Sequence, residues 1–139
     1  MCYKEELQQK NEYKLQRSLD EYNVPEFIQD YFLNLASRAA RVNYWSTIKK
    51  MLLWMIDKNY ISKGSISEIT LEDLCSISKT KMHKYFEYMK YEEKISLKTI
   101  GTKKYQLSSF WEELIELADG NCKNIVKEIK SEEFKPATT

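Results

Sequence analysis

Glycine and proline are scarce in this chain, with three glycines and two prolines in 139 residues. Sheet proteins use both residue types in their turns, so this scarcity favours long helices joined by few loops. Apolar residues make up 42% of the chain and charged residues 31%, which is typical of a globular domain with a real core. We therefore predict an all-α protein.

Long apolar runs are also missing. No run reaches the roughly 18 residues of a membrane span, and the first ten residues, MCYKEELQQK, lack the apolar core of a secretory signal. The three cysteines are an odd number, lie far apart and form no C-x-x-C pair, which suits reduced thiols. We expect a cytoplasmic protein that has no membrane partner.

Residue patterns for catalysis and cofactor binding are absent as well. His83 is the only histidine, and its neighbours Lys81 and Lys84 favour a surface or boundary position over a metal or catalytic role. No Ser/His/Asp or Cys/His arrangement can be built, and neither glycine motif that cradles phosphate, GxxxxGK[ST] or GxGxxG, occurs. We predict no catalytic residue, no metal site, no cofactor and no small-molecule substrate.

Apolar residues instead recur at helical spacing along most of the chain. Pro25 is a helix start signal, Ser37, Ser78 and Ser96 are candidate N-caps, and Gly120 is a natural helix stop. The predicted helices span residues 4–22, 25–36, 38–59, 71–74, 79–93, 96–118 and, with a weaker pattern, 121–134. The predicted inward faces include Phe27, Ile28, Tyr31, Phe32 and Leu35, then Tyr44, Ile48, Met51, Leu52 and Met55, then Met82, Tyr85, Phe86 and Met89, and finally Ile100, Leu107, Phe110, Trp111, Leu114 and Leu117.

Positive charge is concentrated in two of these helices, although the net charge of the chain is only +1. Residues 37–56 contain four cations and no acid, and residues 96–111 contain three lysines and no acid. A helix that buries one side and presents cations on the other is suited to an anionic partner. The acidic end of the second helix, residues 112–119, would point away from that partner.

Residues from Val24 to about Ala118 carry a pattern that combines these helix-core and polar positions. Its first half reads Pro25-Glu26-Phe27-Ile28-x-x-Tyr31-Phe32, then Tyr44-x-x-x-Ile48-x-x-x-Leu52-x-Trp54-Met55. Its second half reads Ile69-Thr70 with Asp73-Leu74, then Tyr85-Phe86-x-Tyr88-Met89, then Ser96-x-Lys98-Thr99-Ile100-x-x-Lys103-x-x-x-Leu107-x-x-Phe110-x-x-x-Leu114. The pattern resembles the core-binding domain of tyrosine recombinases and phage integrases, also called the SAM-like N-terminal domain.

The resemblance implies a bundle of four to five helices arranged as crossed helix pairs, here with an additional N-terminal helix. In the family this domain is one half of a C-shaped clamp on a recombination site, and the catalytic half carries two arginines, a His-x-x-Arg and the tyrosine nucleophile. We expect no strand cleavage by this chain, which would work with the catalytic domain of the same parent and with further recombinase protomers on DNA. The implied division is an N-terminal helical extension (1–22), the core-binding, DNA-binding domain (23–119) and a linker or tail (120–139).

Double-stranded DNA is the partner that the resemblance implies, and the residues agree with it. Lysine and arginine neutralise phosphates, while hydroxyl and amide groups on the same face can bond phosphates or base edges in the major groove. Lys79, Lys81, Lys84 and Lys90 are either a second phosphate-facing patch or a solvated lysine face. The predicted DNA-binding residues are Arg38, Arg41, Ser46, Lys49 and Lys50 in the first basic helix, and Lys98, Thr99, Thr102, Lys103, Tyr105 and Gln106 in the second.

The chain departs from the family pattern at four positions. Thr102 and Ser108 stand where the family often has arginine, Ala40 stands where it often has threonine, and Lys104 stands where it usually has an apolar residue. We therefore expect weak DNA binding by the isolated domain.

The alternative is a helical protein–protein interaction module without a nucleic-acid role. The low net charge, the mixed-charge N-terminal helix and the position of Trp54 off the core stripe are compatible with such a module. An exposed apolar patch around Trp54 and Tyr60 would favour it. A compact helix-turn-helix regulator fits less well, because the connection from Tyr60 to Thr70 is long.

Overall fold

The computed structural model describes residues 3–35 and 38–129. These residues form six α-helices and no β-strand, which confirms the all-α prediction. Within the same ranges, no helix has both the length and the apolar composition needed to cross a bilayer. The helices are α1 (Tyr3–Glu21), α2 (Glu26–Leu33), α3 (Arg38–Asp57), α4 (Leu71–Cys75), α5 (Lys79–Glu87) and α6 (Leu97–Leu117), with a 3₁₀ turn at Ile66–Glu68 and a π-helical segment at Tyr88–Glu92.

The chain divides into two compact units between Thr70 and Leu71. The first unit contains α1 to α3, and the second contains α4 to α6. The division predicted from the sequence, at residues 22 and 119, stays a prediction.

In the first unit, α1 packs against α3. Leu15 and Leu19 on α1 are buried. The indole of Trp45 on α3 donates a hydrogen bond to the hydroxyl of Ser18 at 2.8 Å, and its ring meets that of Phe32 edge-on with centroids 5.7 Å apart. The C-terminal half of α1 is therefore packed against the rest of the first unit.

The buried side of α3 is close to the predicted one but is rotated slightly towards α1. Tyr44, predicted to be in the core, is half-buried, and its neighbour Trp45 is buried instead. Burial of Trp45 is favourable because its large ring gains apolar contacts while its N–H finds a hydrogen-bond partner. Phe27 and Leu35, also predicted to face inward, are half-buried. The other predicted core residues of α2 and α3 are confirmed as buried: Ile28, Tyr31, Phe32, Ile48, Met51, Leu52 and Met55.

Three helices end in one backbone motif, in which a residue other than glycine adopts a positive φ. In each case the next residue's N–H bonds to the carbonyl five positions earlier, as in a Schellman motif. The predicted stop of α6 at Gly120 is therefore displaced by one residue, because Asp119 takes the first left-handed position. The residues are Asn23 (φ 48°), Asn59 (φ 60°) and Asp119 (φ 51°), and the bonds join Val24 to Leu19, Tyr60 to Met55 and Gly120 to Ile115.

In the second unit, both predicted caps are confirmed. The hydroxyl of Ser78 accepts a hydrogen bond from the N–H of Lys81 at 3.2 Å, and that of Ser96 accepts one from the N–H of Thr99 at 3.2 Å. These caps start α5 and α6 in the register that turns their apolar stripes inward. Leu117 differs from its prediction and is exposed, while Met82, Tyr85, Phe86, Met89, Ile100, Leu107, Phe110, Trp111 and Leu114 are buried.

The helix predicted for residues 121–134 is absent from residues 121–129, which form turns, while residues 130–134 lie outside the described part. A local side-chain bond competes with the helix, because the carbonyl oxygen of the Asn124 side chain accepts the N–H of Lys127 at 3.0 Å. The apolar residues of this segment are nevertheless buried, namely Ile125, Val126 and Ile129. The candidate cap Ser37 also lies outside the described residues.

Candidate nucleic-acid interface

The outward side of α3 carries Asn43, Ser46 and Lys50, which are all exposed. We call these three residues the α3 surface. They point outward because Ile48 and Met51 turn the opposite side of the helix into the core. No acidic residue occurs between Arg38 and Asp57, so the α3 surface combines one cation with amide and hydroxyl groups, and the one carboxylate of its helix is Asp57 at the last position.

Two predicted cations of α3 have structural partners. The guanidinium of Arg41 donates to the carbonyl of Leu35 at 2.8 and 3.0 Å and to that of Leu33 at 3.3 Å. It therefore binds carbonyl groups at and just after the C-terminus of α2, a position where a helix leaves carbonyls without intrahelical partners. The ammonium of Lys49, a half-buried residue, lies 5.6 Å from the ring centroid of Tyr22, within range of a cation–π interaction.

The α3 surface thus keeps Ser46 and Lys50 from the residues predicted on this helix. Arg41 and Lys49 are held by contacts within the first unit. The side chain of Arg38 lies outside the described residues.

The N-terminal half of α6 presents four predicted residues on its outward side, Lys98, Thr99, Thr102 and Tyr105. All four are exposed, and 70% of Tyr105 is accessible to solvent. We call them the α6 surface. The Thr102 hydroxyl donates to the carbonyl of Lys98 at 3.4 Å, which leaves its oxygen lone pairs as acceptors.

The electrostatic character of the α6 surface comes from its helix as well as from its side chains. The first turn of α6 contains no acidic residue, and the N-terminus of a helix carries partial positive charge. Lys98 adds a full positive charge within this region. The α6 surface is therefore favourable for an anion such as a phosphate group.

Gln106, another of the predicted DNA contacts, is buried in the structure. It is only 9% exposed, because it lies at the border of the apolar side, one turn before Phe110. Lys103 on the same flank is half-buried and has contacts within the protein. Lys98 is consequently the one exposed cation among the three lysines in the N-terminal half of α6.

Residues 121–129 are attached to one flank of α6 by side chains. The ammonium of Lys104 donates to the backbone carbonyl of Ile129. The side-chain amide of Asn124 donates to the Ser108 carbonyl and hydroxyl, each at 3.1 Å, and to the Glu112 carboxylate at 2.9 Å. Lys104 and Ser108 are two of the positions where the chain departs from the recombinase pattern, and both hold this segment.

The lysines of the predicted second patch do not share one environment. Lys79 and Lys84 are exposed, and Lys81 is half-buried. The Lys90 ammonium is buried without a hydrogen-bond partner among the described residues and lies 5.7 Å from the centroid of the Tyr91 ring. The Lys90 ammonium therefore cannot be part of an exposed phosphate-facing patch.

His83 lies at the boundary predicted for it. Its Nδ1 atom is 2.7 Å from a carboxylate oxygen of Glu87, one helical turn later, and its side chain is partly exposed. The described residues contain no group of three or more His, Cys, Asp or Glu side chains arranged to hold a metal ion.

Two weakly acidic groups of the second unit, the phenol of Tyr85 and the thiol of Cys75, have raised pKa values. Burial, followed by the nearby charges of Glu93 and Tyr88, raises the pKa of Tyr85 above its ordinary value. Burial and a hydrogen bond with the Cys122 side chain raise the pKa of Cys75 from 9.0 to about 12. Both groups are therefore neutral at physiological pH, and neither is activated as a nucleophile.

The apolar patch that would favour an interaction module is not fully exposed. Trp54 and Tyr60 are both half-buried. Their rings meet edge-on with centroids 5.5 Å apart, so each covers part of the other. Lys58 lies over the Trp54 ring, its ammonium 6.0 Å from the centroid.

Comparison of the chain with protein-family models, with curated proteins and with solved structures gave no match in any of the three. Function is therefore inferred from the chain's own residues and from the arrangement of its helices.

Proposed function

We propose that this chain is the DNA-binding, core-binding domain of a site-specific tyrosine recombinase or integrase, and that it grips recombination-site duplex DNA. The observation that carries the proposal is the shared composition of the α3 and α6 surfaces. Each has an exposed lysine beside hydroxyl or amide groups, on a stretch of helix without acids. Lysine supplies phosphate neutralisation, and the neutral polar groups supply hydrogen bonds to phosphates or base edges.

The proposal includes a SAM-like arrangement of crossed helix pairs. It is supported by the positions of the recombinase-like pattern, most of whose apolar residues are buried in α2, α3, α5 and α6, while Phe27, Tyr44 and Trp54 are half-buried. Strand cleavage would belong to the catalytic domain of the same parent protein, and further protomers would assemble on the DNA. Such a protein would act in the cytoplasm.

The proposed binding is weak for a single domain. Among the predicted cations whose side chains are described, Lys50 and Lys98 are exposed, whereas Arg41 and Lys49 are held by neighbouring groups. Two phosphate contacts correspond to a modest salt dependence, since each contributes roughly 0.9 to the slope of log K against log salt. High affinity would require the second half of the clamp.

The experiment that tests this proposal compares two double variants that remove the same charge. Lys50→Ala with Lys98→Ala removes the exposed cations of the two surfaces, and Lys123→Ala with Lys127→Ala removes two exposed lysines from the segment after α6. At one low salt concentration, the first variant is expected to weaken duplex binding roughly tenfold, as the loss of two phosphate contacts predicts.

The control variant is expected to bind duplex DNA within a factor of about two of the wild type, a difference below ~0.5 kcal/mol. Equal weakening by both variants would show that binding follows total charge and does not use the two surfaces. An absence of duplex binding by the folded wild type would instead favour the interaction module.

A further inference from the structure

Gly101 lies in the second turn of α6, where glycine is an unfavourable choice. Glycine loses more backbone freedom on folding than alanine does, so it lowers the stability of a helix interior. Two structural reasons commonly justify such a glycine: a positive φ or a close neighbour that leaves no room for a Cβ atom. A positive φ explains the glycine at position 120, where φ is 82°.

Neither reason applies to Gly101 in the described part of the chain. Its backbone is helical and has no positive φ, and a Cβ atom added to it would meet no atom within 4 Å. The position is open to solvent. A residue that weakens its own element without a compensating contact is expected where a functional contact requires it.

Among the neighbours of Gly101 on the helix surface, Lys98 and Tyr105 belong to the proposed DNA interface, while Leu97 is an exposed apolar residue. Residues three and four positions away are adjacent on a helix, which places Lys98 and Tyr105 beside Gly101. Both are exposed. Lys104, also adjacent, donates its ammonium to the Ile129 carbonyl on the covered flank. Gly101 is thus a notch in the α6 surface, bordered by a cation and an exposed phenol.

We propose that the notch at Gly101 is the point of closest approach to duplex DNA, where the sugar–phosphate backbone contacts the helix backbone. Lys98 pairs with a phosphate oxygen. Tyr105 packs against the adjoining sugar, and its hydroxyl donates a hydrogen bond to the DNA backbone. The missing Cβ of Gly101 leaves room for the backbone between these two side chains. This inference rests on the proposed function and adds a residue to it whose contribution is steric.

Substitutions at Gly101 are expected to change the stability of the protein and its affinity for duplex DNA in opposite directions. Gly101→Ala and Gly101→Leu both place a better helix former at an open position, so each is expected to raise Tm by about 3 °C. The added side chain occupies the notch, so the affinity for duplex DNA is expected to fall about threefold for alanine and about tenfold or more for leucine. The salt dependence should stay unchanged, because no charge is removed.

Thr80→Ala is the matched control, since it also replaces an exposed helical residue by a better helix former, on α5 and away from the α6 surface. It is expected to raise Tm and to leave the dissociation constant unchanged. If Gly101→Ala and Gly101→Leu bind as tightly as wild type while Lys98→Ala binds more weakly, the inference is wrong and the proposed function stands. If the wild type shows no salt-dependent duplex binding, the proposed function itself fails and the inference fails with it.

Discussion

Neighbouring lysines on α6 show how the role of one residue depends on its exact place around the helix. Lys98 is exposed on the α6 surface, Lys103 is half-buried, and Lys104 donates to the carbonyl of Ile129. A charged hydrogen bond of this last kind stabilises the fold and leaves that cation less able to bind a phosphate. Among these lysines, Lys98 is therefore the residue whose charge is available to DNA.

Tyr85 and Cys75 lead to a prediction about alkaline pH. Their pKa values are raised in the folded protein, from 10.0 for Tyr85 and from 9.0 to about 12 for Cys75. In the unfolded chain both groups ionise at their lower, ordinary pKa values. At a pH between the unfolded-state and the folded-state pKa of a group, unfolding therefore releases the proton of that group. Their stabilising contribution is therefore fully present below about pH 9 and is lost as pH rises towards 12.

Urea denaturation at increasing pH measures this effect. The midpoint is expected to stay level up to about pH 9 and then to fall as pH rises further. Tyr85→Phe, which removes one of the two ionising groups, should flatten the fall in that range. A decline that begins well below pH 9, or one that Tyr85→Phe leaves unaltered, would contradict the assignment.

At the scale of elements, the segment after α6 is held by side chains and not by helical hydrogen bonds. The side-chain amide of Asn124 donates hydrogen bonds to Ser108 and Glu112, and its side-chain carbonyl oxygen accepts one from the N–H of Lys127. Asn124→Ala removes these bonds and leaves the Ser108 carbonyl, which is partly buried, without this partner. The free energy of unfolding is expected to fall by about 1–3 kcal/mol.

Asn121→Ala provides the control for this prediction, because the Asn121 side chain is exposed on the same segment. Its expected effect on the free energy of unfolding lies within about 0.5 kcal/mol. Chemical denaturation of both variants gives the comparison. Equal stability of the two variants would mean that Asn124 does not hold residues 121–129 on α6.

Local signals in the sequence predicted much of the helical structure. The caps Ser78 and Ser96 lie within three residues of the N–H groups that they bind, and the apolar spacing of Met82, Tyr85 and Phe86 reports one helix face directly. Such features depend on residues close together in the chain, so they can be read without the tertiary structure.

The features that were not predicted depend on residues far apart in the chain. Trp45 is buried because its N–H reaches Ser18 on another helix. Residues 121–129 have the apolar spacing of a helix, but their polar groups bond to α6 instead. The burial of Gln106 likewise depends on the exact rotation of α6, since this residue lies at the border between the polar and apolar sides.

At the scale of the whole molecule, a net charge of +1 excludes strong attraction of the entire protein to DNA. Attraction must come from local surfaces, and each of the two units has one of the proposed surfaces on a stretch of helix without acids, residues 38–56 of α3 and residues 97–111 of α6. In the proposed account, the α3 surface provides Lys50 and the α6 surface provides Lys98.

The most direct test of the account measures duplex DNA binding by the full chain over a series of salt concentrations. With two exposed lysines in contact with phosphates, log K is expected to fall linearly with log salt, with a slope of about −1.8. The Lys50→Ala, Lys98→Ala variant should reduce that slope to near zero, and the Lys123→Ala, Lys127→Ala control should retain it. Duplex affinity that is indifferent to salt, or a slope that both variants share with the wild type, would contradict the proposed DNA-binding role.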